Sequence, residues 1–324
     1  MVALPDDSTA TGPGIEADQR SGQADPDGKF RRQASAFRDV IAPGHERFPP
    51  EKGRYVLYVC ATCPWAHRAL IMVKLKGLEE FVDVVWLHWE LGEKGWYFKE
   101  VDNSPAKDPY YGFTYLREFY FRANPDYDKR FTVPMLWDRK LETIVNNESS
   151  EIIRILNTAF NELLPADKAA IDVYPEDLRP EIDEINEWVY NTVNNGVYKT
   201  GFAQTQEAYD ENVYPLFASL ERLETILSDG REFLLGSRLT EADIRLYVTI
   251  IRFDAAYFTL FRCNIKMIRY EFPHLQNWLM HLYYDFPTVF KETTFLEQLK
   301  KGYSGVQKIE LVPAGPVPLM MPRE

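Results

Sequence analysis

The chain has 324 residues, of which 45% are hydrophobic and 27% are charged, and its formal net charge at pH 7 is −12. This composition is typical of a folded globular protein of about two domains and excludes a disordered or fibrous one. An acidic balance disfavours binding to nucleic acid or to an anionic membrane surface, because both require a positive patch. Small molecules are therefore the expected partners.

The three cysteines, Cys60, Cys63 and Cys263, are too few for the disulfide framework of a secreted protein. The first thirty residues are acidic and lack an apolar core, so they predict neither a secretory signal nor a basic transit peptide. No segment has the length and apolarity of a membrane span. We expect a cytoplasmic protein with free thiols.

The chain begins with a segment rich in Gly, Pro, Asp and Ser, predicted to be a mobile extension over 1–29, and an ordered lead-in follows over 30–50. The next patterned segments are, in order, a strand over 55–59, a helix over 64–76, a strand over 82–89, a hairpin over 130–137 and 141–145, and a helix over 149–156. A tyrosine-rich insertion over 90–128 has no clean periodicity, which indicates a functional loop. This connectivity predicts a thioredoxin-like α/β domain over 30–165.

Helical periodicity dominates the rest of the chain. The predicted helices cover 175–195, 205–229, 240–260, 273–286 and 287–301. Thr240 followed by Asp243 predicts a capping box at the start of the third of these helices. We therefore predict an all-α domain over 166–308 and a proline-rich surface tail over 309–324.

Cys63 is the candidate nucleophile. It follows a strand and a two-residue loop, and Pro64 takes the position favoured for the first residue of a helix. Free amides and the positive end of the helix dipole stabilise a thiolate there, which lowers a cysteine pKa from ~8.5 into roughly the 3.5–7.5 range. The alternative, an inert buried cysteine, has no need of proline at the next position.

Cys60 forms a C-x-x-C pattern with Cys63, which is compatible with a redox dithiol or, together with His67, with part of a zinc site. In a thioredoxin-type dithiol the helix begins after the first cysteine, whereas Pro64 places it after the second, so a single reactive thiol is favoured. A structural zinc needs four ligands and only scattered histidines remain, so we expect no metal. His67 is a possible partner for the thiol or, more simply, a hydrogen-bonded structural histidine.

Two further positions are suited to binding a peptide-like ligand. The Val133-Pro134 bond lies just before a strand, where a thioredoxin-like fold needs a cis-proline to turn a backbone edge toward the nucleophile. Glu148 and Ser149 lie at the next helix start and offer amides and a hydroxyl to a carboxylate. Ser149 is equally well explained as a simple N-cap.

Five segments carry a more specific pattern: Cys63-Pro64-Trp65-Ala66-His67-Arg68, Gly95-Trp96, Arg130-Phe131-Thr132-Val133-Pro134, Asn147-Glu148-Ser149 and Asn195-Gly196-Val197-Tyr198-Lys199-Thr200-Gly201-Phe202-Ala203. Together they resemble the glutathionyl-hydroquinone reductases, the Xi class of glutathione transferases, over roughly residues 30–305. The expected fold is then a thioredoxin-like domain followed by an all-helical glutathione-transferase domain.

The resemblance implies glutathione as a co-substrate and a role for each matched position. Cys63 would be the nucleophile and Tyr198 the proton donor, while Tyr257 and Tyr303 would line the quinol pocket and help to hold the thiolate. The residues that would bind glutathione are Trp96, Arg130, Phe131, Thr132, Val133, Glu148 and Ser149.

The implied activity is the reduction of glutathionyl-hydroquinones to hydroquinones. The Cys63 thiolate would attack the sulfur that joins glutathione to the ring, and the ring carbon would leave with a proton from Tyr198. A second glutathione would then release the mixed disulfide on Cys63 as glutathione disulfide. The resemblance also implies a homodimer.

Three alternatives stay open. An omega-type thiol transferase or dehydroascorbate reductase also uses a cysteine followed by proline. A conjugating transferase of the serine or tyrosine type is disfavoured, since a cysteine occupies the catalytic cap. A non-catalytic relative that only carries glutathione or aromatic ligands would leave the pKa of Cys63 near its ordinary ~8.5.

Overall fold

A four-stranded sheet forms the centre of the N-terminal domain in the computed structural model, which describes residues 24–323. Its strands are β1 (Tyr55–Val59), β2 (Val82–Trp86), β3 (Met135–Asp138) and β4 (Thr143–Asn146), in the spatial order β2-β1-β3-β4. β1 is parallel to β2 and antiparallel to β3, which in turn is antiparallel to β4. All of β1 is buried, which explains its unbroken apolar sequence.

Three helices belong to this domain: α1 (Pro64–Lys76), α2 (Arg117–Ala123) and α3 (Ser149–Thr158). α1 links the two parallel strands and packs against α3, while α2 lies in the insertion. α1 ends at Gly77, as predicted, and a φ of 65° there favours glycine because it has no Cβ. The order of elements confirms the thioredoxin-like connectivity.

Two predicted strands are shorter in the structure. β2 ends at Trp86 rather than at residue 89, because the chain beyond it bonds to the insertion. β3 begins later than residue 130, because the Thr132 amide donates instead to the Tyr120 hydroxyl of α2 at 3.2 Å. The segment over 130–134 therefore stays outside the sheet.

The rest of the described chain is helical. Its α-helices are α4 (Ala166–Ala169), α5 (Arg179–Val189), α6 (Gly196–Gly201), α7 (Gln206–Leu227), α8 (Glu241–Arg252), α9 (Phe258–Leu260), α10 (Ile268–Glu271), α11 (Pro273–Asp285) and α12 (Leu296–Val306). Single π-helical turns cover Tyr190–Asn194, Phe253–Tyr257 and Pro287–Lys291, and short 3₁₀ turns cover Asn161–Leu163 and Glu176–Leu178. Thr240 and Asp243 form the predicted capping box, in which the Asp243 carboxylate accepts from the Thr240 amide at 3.0 Å.

The predicted helix over 287–301 is wrong, because the structure divides it. The first part is the π-helical turn, and the second is α12, which begins at Leu296. Between them the Thr293 hydroxyl donates to the Val289 carbonyl at 2.7 Å and lies 2.9 Å from a ring nitrogen of His67. The break thus turns Thr293 inward onto α1.

The two domains share a buried ionic contact. Arg154 of α3 donates to both carboxylate oxygens of Glu241 at the start of α8, at 2.9 and 2.7 Å. Glu241 is fully buried and also accepts from Asn186 at 2.9 Å. These bonds satisfy a carboxylate that would otherwise be costly to bury.

The segments that flank the fold lie on the helical domain. The predicted mobile extension falls outside the described residues up to residue 23. Its last residues, 24–29, form a turn in which the Gly28 carbonyl accepts from the Gln204 amide at 3.1 Å. In the predicted surface tail, the Pro318 carbonyl accepts from Arg269 at 2.9 Å. Across residues 24–323, each helix is too short or too polar to cross a bilayer.

Candidate active site

Cys63 caps the N-terminus of α1, as predicted. Its backbone is extended, with φ −78° and ψ 117°, and Pro64 is the first helical residue. The Cys63 carbonyl accepts the first helical bond, from the His67 amide at 3.1 Å. Its thiol donates to the Val133 carbonyl at 3.3 Å, so the nucleophile and the segment before β3 meet directly.

The expected lowering of the Cys63 pKa is wrong for the structure. Cys63 is only 8% exposed, and burial raises the pKa of its thiol. The amides of Ala66 and Trp65 and the charges of Arg252 and Arg32 act in the opposite direction but do not offset burial. The sequence showed the helix start but not the depth at which the helical domain buries it.

Cys63 opens onto a cavity of about 350 Å³ between the two domains. Its wall brings together most of the residues that the sequence marked for glutathione binding, namely Trp96, Arg130, Phe131, Thr132 and Val133. Lys129, Arg130 and Arg32 give the wall positive charge in a chain that is acidic overall. Burial lowers the pKa of Arg130, and the charge of Arg32, which lines the same cavity, lowers it further.

α2 supports one side of this cavity. The Tyr120 hydroxyl donates to the Thr132 carbonyl at 2.7 Å and accepts from Asn147 at 3.2 Å. The Tyr120 ring packs edge-on against Phe131, with ring centroids 5.6 Å apart. The insertion therefore positions the cavity wall next to Cys63.

Three tyrosines from the helical domain form a chain of hydroxyls. Tyr198 of α6 and Tyr303 of α12 lie 2.7 Å apart, and Tyr303 and Tyr257 also lie 2.7 Å apart. Burial raises the pKa of all three phenols, so they stay protonated. Such hydroxyls can donate a hydrogen bond or a proton to a group beside Cys63.

The three tyrosines do not have equal access to the cavity. Tyr198 and Tyr303 line it, whereas Tyr257 is fully buried and does not. The expectation that Tyr257 lines the quinol pocket is therefore wrong for this cavity. Tyr257 contacts the site through the Tyr303 hydroxyl, 2.7 Å away, and through the Tyr198 ring, whose centroid is 6.1 Å from its own.

Glu148 and Ser149 lie at the start of α3 but are not among the residues that line the cavity. Glu148 is the N-cap, and its carboxylate accepts from the Ser150 amide at 3.1 Å and from the Ser35 hydroxyl at 3.0 Å. The alternative that Ser149 is the N-cap is therefore wrong. Ser149 is the first helical residue, and its hydroxyl accepts from Arg68 at 3.3 Å.

Cys60 and His67 are structural in this geometry. Cys60 is buried and donates to the His88 carbonyl at 3.4 Å, and burial raises the pKa of its thiol to about 12. The two ring nitrogens of His67 face Thr293 at 2.9 Å and Arg252 at 3.0 Å. These contacts leave His67 no ring nitrogen for a metal ion or for Cys63.

Several residues in or near the cavity have no role predicted from the sequence. Phe30, Trp65 and Phe202 add an aromatic wall around Tyr198, and Arg32 lies above it. Arg252 of α8 donates to the Ala61 carbonyl at 3.0 Å, just before the nucleophile. Phe30 and Arg32 come from the lead-in, where no periodic pattern marks them, and only the tertiary fold brings them to the site.

Comparisons with known proteins agree with this architecture. Family models of the glutathione S-transferase N-terminal domain and C-terminal domain match residues 62–159 and 206–279. The chain is 51% identical to glutathione S-transferase omega-like 2 of Schizosaccharomyces pombe, across 90% of this chain and 95% of that protein. It is 48% identical to glutathionyl-hydroquinone reductase YqjG of Escherichia coli, across 85% of this chain and 84% of that protein.

Solved structures of glutathione transferases are also similar to this chain. The glutathione transferase Xi of Phanerochaete chrysosporium superimposes with a TM-score of 0.91 at 51% identity and covers 96% of this chain and 100% of its own. A glutathione-bound structure of Escherichia coli YqjG has a TM-score of 0.82 at 43% identity and covers 89% and 95% of the two chains. The chain therefore belongs to the glutathione transferase family, within the Xi class that includes the glutathionyl-hydroquinone reductases.

Proposed function

We propose that this protein reduces glutathionyl-hydroquinones to hydroquinones with glutathione as co-substrate. The observation that carries the proposal is one cavity that contains both the Cys63 thiol and the hydrogen-bonded hydroxyls of Tyr198 and Tyr303. A thiol nucleophile suits attack on sulfur, and phenols that stay protonated suit delivery of a proton to carbon.

The reaction takes two steps. Tyr198 gives a proton to the ring carbon that bears sulfur, and the sulfur of Cys63 attacks the sulfur of the adduct. The sulfur–carbon bond then breaks, and its electron pair returns to the ring. The two sulfurs are oxidised to a mixed disulfide while the ring is reduced. A second glutathione then attacks this disulfide, which restores Cys63 and releases glutathione disulfide.

The raised pKa of Cys63 is consistent with the proton balance of this reaction. The first step releases one proton from the thiol and places one proton on the ring, so the thiol proton balances the proton that Tyr198 gives up. The amides of Trp65 and Ala66 and the charge of Arg252 favour the thiolate as it forms. No other acid is required.

The cavity wall supports glutathione as the ligand. Lys129 and Arg130 are suited to its carboxylates, and the Val133 backbone is suited to pairing with its peptide groups. We propose that Trp96, Phe131 and Thr132 complete this wall. Glu148 and Ser149 would bind the γ-glutamyl end at the start of α3.

The decisive experiment supplies purified protein with an S-glutathionyl hydroquinone and excess glutathione. Chromatography follows the hydroquinone and glutathione disulfide. We expect turnover that is lost in Cys63→Ser and kept within a few-fold in Cys60→Ser, because Cys60 is buried and bonded elsewhere. Absence of turnover in the wild type would refute the proposal, and loss in both variants would favour a dithiol.

A second candidate is an omega-type thiol transferase, favoured by the name of the Schizosaccharomyces pombe relative and by a single reactive cysteine. It would act on non-aromatic disulfides or dehydroascorbate and not on quinol adducts. The same protein is therefore assayed with hydroxyethyl disulfide and with dehydroascorbate.

The homodimer and the cytoplasmic location stay predictions, which sedimentation velocity and cell fractionation can test.

A further inference from the structure

Two adjacent arginines near the cavity differ in their charge partners. Arg31 is ion-paired with Asp25 at 2.6 Å and with Asp27 at 2.5 Å. Arg32 forms no salt bridge with any carboxylate of residues 24–323, the part of the chain that the structure describes. The charge of Arg31 is thus neutralised by two aspartates, whereas Arg32, which lines the cavity, keeps its charge.

Arg32 is held over the aromatic wall. Its guanidinium carbon lies 4.5 Å from the ring centroid of Trp65, 5.0 Å from that of Tyr198 and 5.3 Å from that of Phe30. Its Nε donates to the side-chain oxygen of Asn195 at 2.8 Å. Although Arg32 is exposed at the cavity mouth, these contacts fix where its charge lies.

The charge of Arg32 reaches the groups proposed to react. It acts to lower the pKa of Cys63 and of Tyr198, although burial raises both overall. A ring placed between Cys63 and Tyr198 would therefore lie within the same field. An anionic ring would be attracted and a neutral ring would not.

A quinol ring with an ionised phenol is negatively charged both before and after the proposed reaction. A phenolate adduct accepts the Tyr198 proton on the carbon that bears sulfur and becomes a dienone. When the Cys63 thiolate attacks the sulfur, the pair of the broken sulfur–carbon bond returns to the ring as a phenolate. One negative charge passes from thiolate to phenolate, so a fixed cation beside the ring stabilises the product of the step.

We propose that Arg32 is a specificity-determining residue that selects aromatic adducts whose phenol is ionised at the working pH. This inference rests on the proposed function, which it deepens by naming a substrate class. That class is the glutathionyl adducts of electron-poor quinols, whose electron-withdrawing substituents make the phenol acidic. Adducts of electron-rich or O-methylated rings are expected to be poor substrates.

The kinetic test compares Arg32→Gln with Arg31→Gln, which removes a charge already neutralised by two aspartates. We expect Arg32→Gln to lower kcat/KM about fivefold to tenfold on adducts with an ionised phenol, the size of one partly screened charge contact. Its effect on O-methylated adducts and on hydroxyethyl disulfide should be under about twofold. Arg31→Gln should keep the preference for ionised rings, and added salt should weaken that preference in the wild type.

A binding test separates this inference from the proposed reaction. In Cys63→Ser protein, calorimetry at mildly alkaline pH compares 2,6-dichlorophenol, which is ionised, with 2,6-dimethylphenol, which has a similar shape and is neutral. We expect the dichlorophenolate to bind about fivefold or more tightly, and Arg32→Gln to abolish the difference. This result does not depend on turnover, so it stands or fails separately from the reductase assay.

Two outcomes would overturn the inference. Equal losses for Arg32→Gln on adducts and on hydroxyethyl disulfide would show that Arg32 acts only on the Cys63 thiol. A phenolate preference that survives in Arg32→Gln would assign the selection to another group. Circular dichroism of each variant confirms that the fold is retained.

Discussion

At the scale of single residues, burial sets the chemistry of the site. It raises the pKa of Cys63, Tyr198, Tyr257 and Tyr303, so the resting site holds protons rather than negative charge. The arginines near the thiol oppose this effect only in part. A carbon leaving group needs a proton far more than a sulfur leaving group does, which makes these phenols the natural point of attack for mutagenesis.

Tyr198→Phe is expected to slow reduction of quinol adducts about 10²-fold, because the ring carbon loses its proton donor. Reduction of a mixed disulfide should fall much less, since a thiolate leaves without acid assistance. Steady-state kinetics on both substrates measure the contrast. Tyr257→Phe serves as the graded control, because it removes a hydroxyl that bonds to the other tyrosines but does not line the cavity. Equal losses on both substrates in Tyr198→Phe would refute the donor role.

The pH dependence of Cys63 alkylation follows from the sign of its pKa shift. Because burial raises the pKa, the midpoint of thiolate formation in the ligand-free protein is expected to lie above the ordinary value of about 8.5. Iodoacetamide labelling of the Cys63 peptide, followed by mass spectrometry, should therefore increase with pH and show its midpoint above that value. A midpoint near neutrality would show that the helix amides and arginines outweigh burial.

At the scale of elements, α12 approaches the nucleophile loop at a glycine. A Cβ on Gly302 would lie 2.0 Å from the Thr62 hydroxyl oxygen and 2.6 Å from the Trp89 carbonyl, so no other residue fits without movement. Gly302 directly precedes Tyr303, and Thr62 directly precedes Cys63. This close contact therefore sets the position of a phenol relative to the thiol.

Gly302→Ala should lower the free energy of unfolding by about 1–3 kcal/mol through overpacking, and should reduce activity on quinol adducts as Tyr303 moves. Gly305→Ala in the same helix is the matched control. A Cβ there would meet Glu90 only at 3.6 Å, so this variant should be neutral or gain up to about 1 kcal/mol in helix propensity. Chemical denaturation and the adduct assay measure both effects, and indistinguishable variants would contradict the packing argument.

At the scale of the whole molecule, each domain contributes a different part of the site. The sheet domain supplies Cys63 and most of the cationic wall, and the helical domain supplies the three tyrosines. Arg252 of α8 donates to the Ala61 and Thr62 carbonyls, at 3.0 and 3.3 Å, and thereby ties the nucleophile loop to the other domain. A complete site therefore requires the two domains to be docked.

Arg154→Met tests this docking, because it leaves the buried Glu241 carboxylate without its bidentate partner. Arg154 is partly exposed, so we expect a loss of about 2 kcal/mol, between the values for surface and buried ion pairs. Arg222→Met is the control: its pair with Glu184 is exposed at 3.6 Å and should change stability by less than about 0.5 kcal/mol. Urea denaturation of the two variants gives the comparison, and equal stabilities would show that the pair does not hold the domains together.

The sequence predicts features that depend on neighbouring residues in the chain, such as the ends of a helix. It does not predict features that depend on tertiary contacts, such as burial and the resulting pKa shift. Pro64 and Gly77 marked both ends of α1 and hence the place of Cys63 at its start. The depth of Cys63 depends on the helical domain that covers it, so the direction of its pKa shift was missed. For the same reason, the sequence reveals neither the burial of Tyr257 nor the place of Arg32 at the cavity.

The hydroxyl chain has one open end and one closed end. Within the described residues, Tyr257 hydrogen-bonds only to the other tyrosines of the chain and is fully buried, so no protein group behind it can refill the chain with protons. In the proposed reaction, a proton given up by Tyr198 would therefore have to return from the cavity side, where the Cys63 thiol releases its own proton. The thiol and the phenol would then reset each other, and the hydroxyl chain would need no exit to the solvent on its far side.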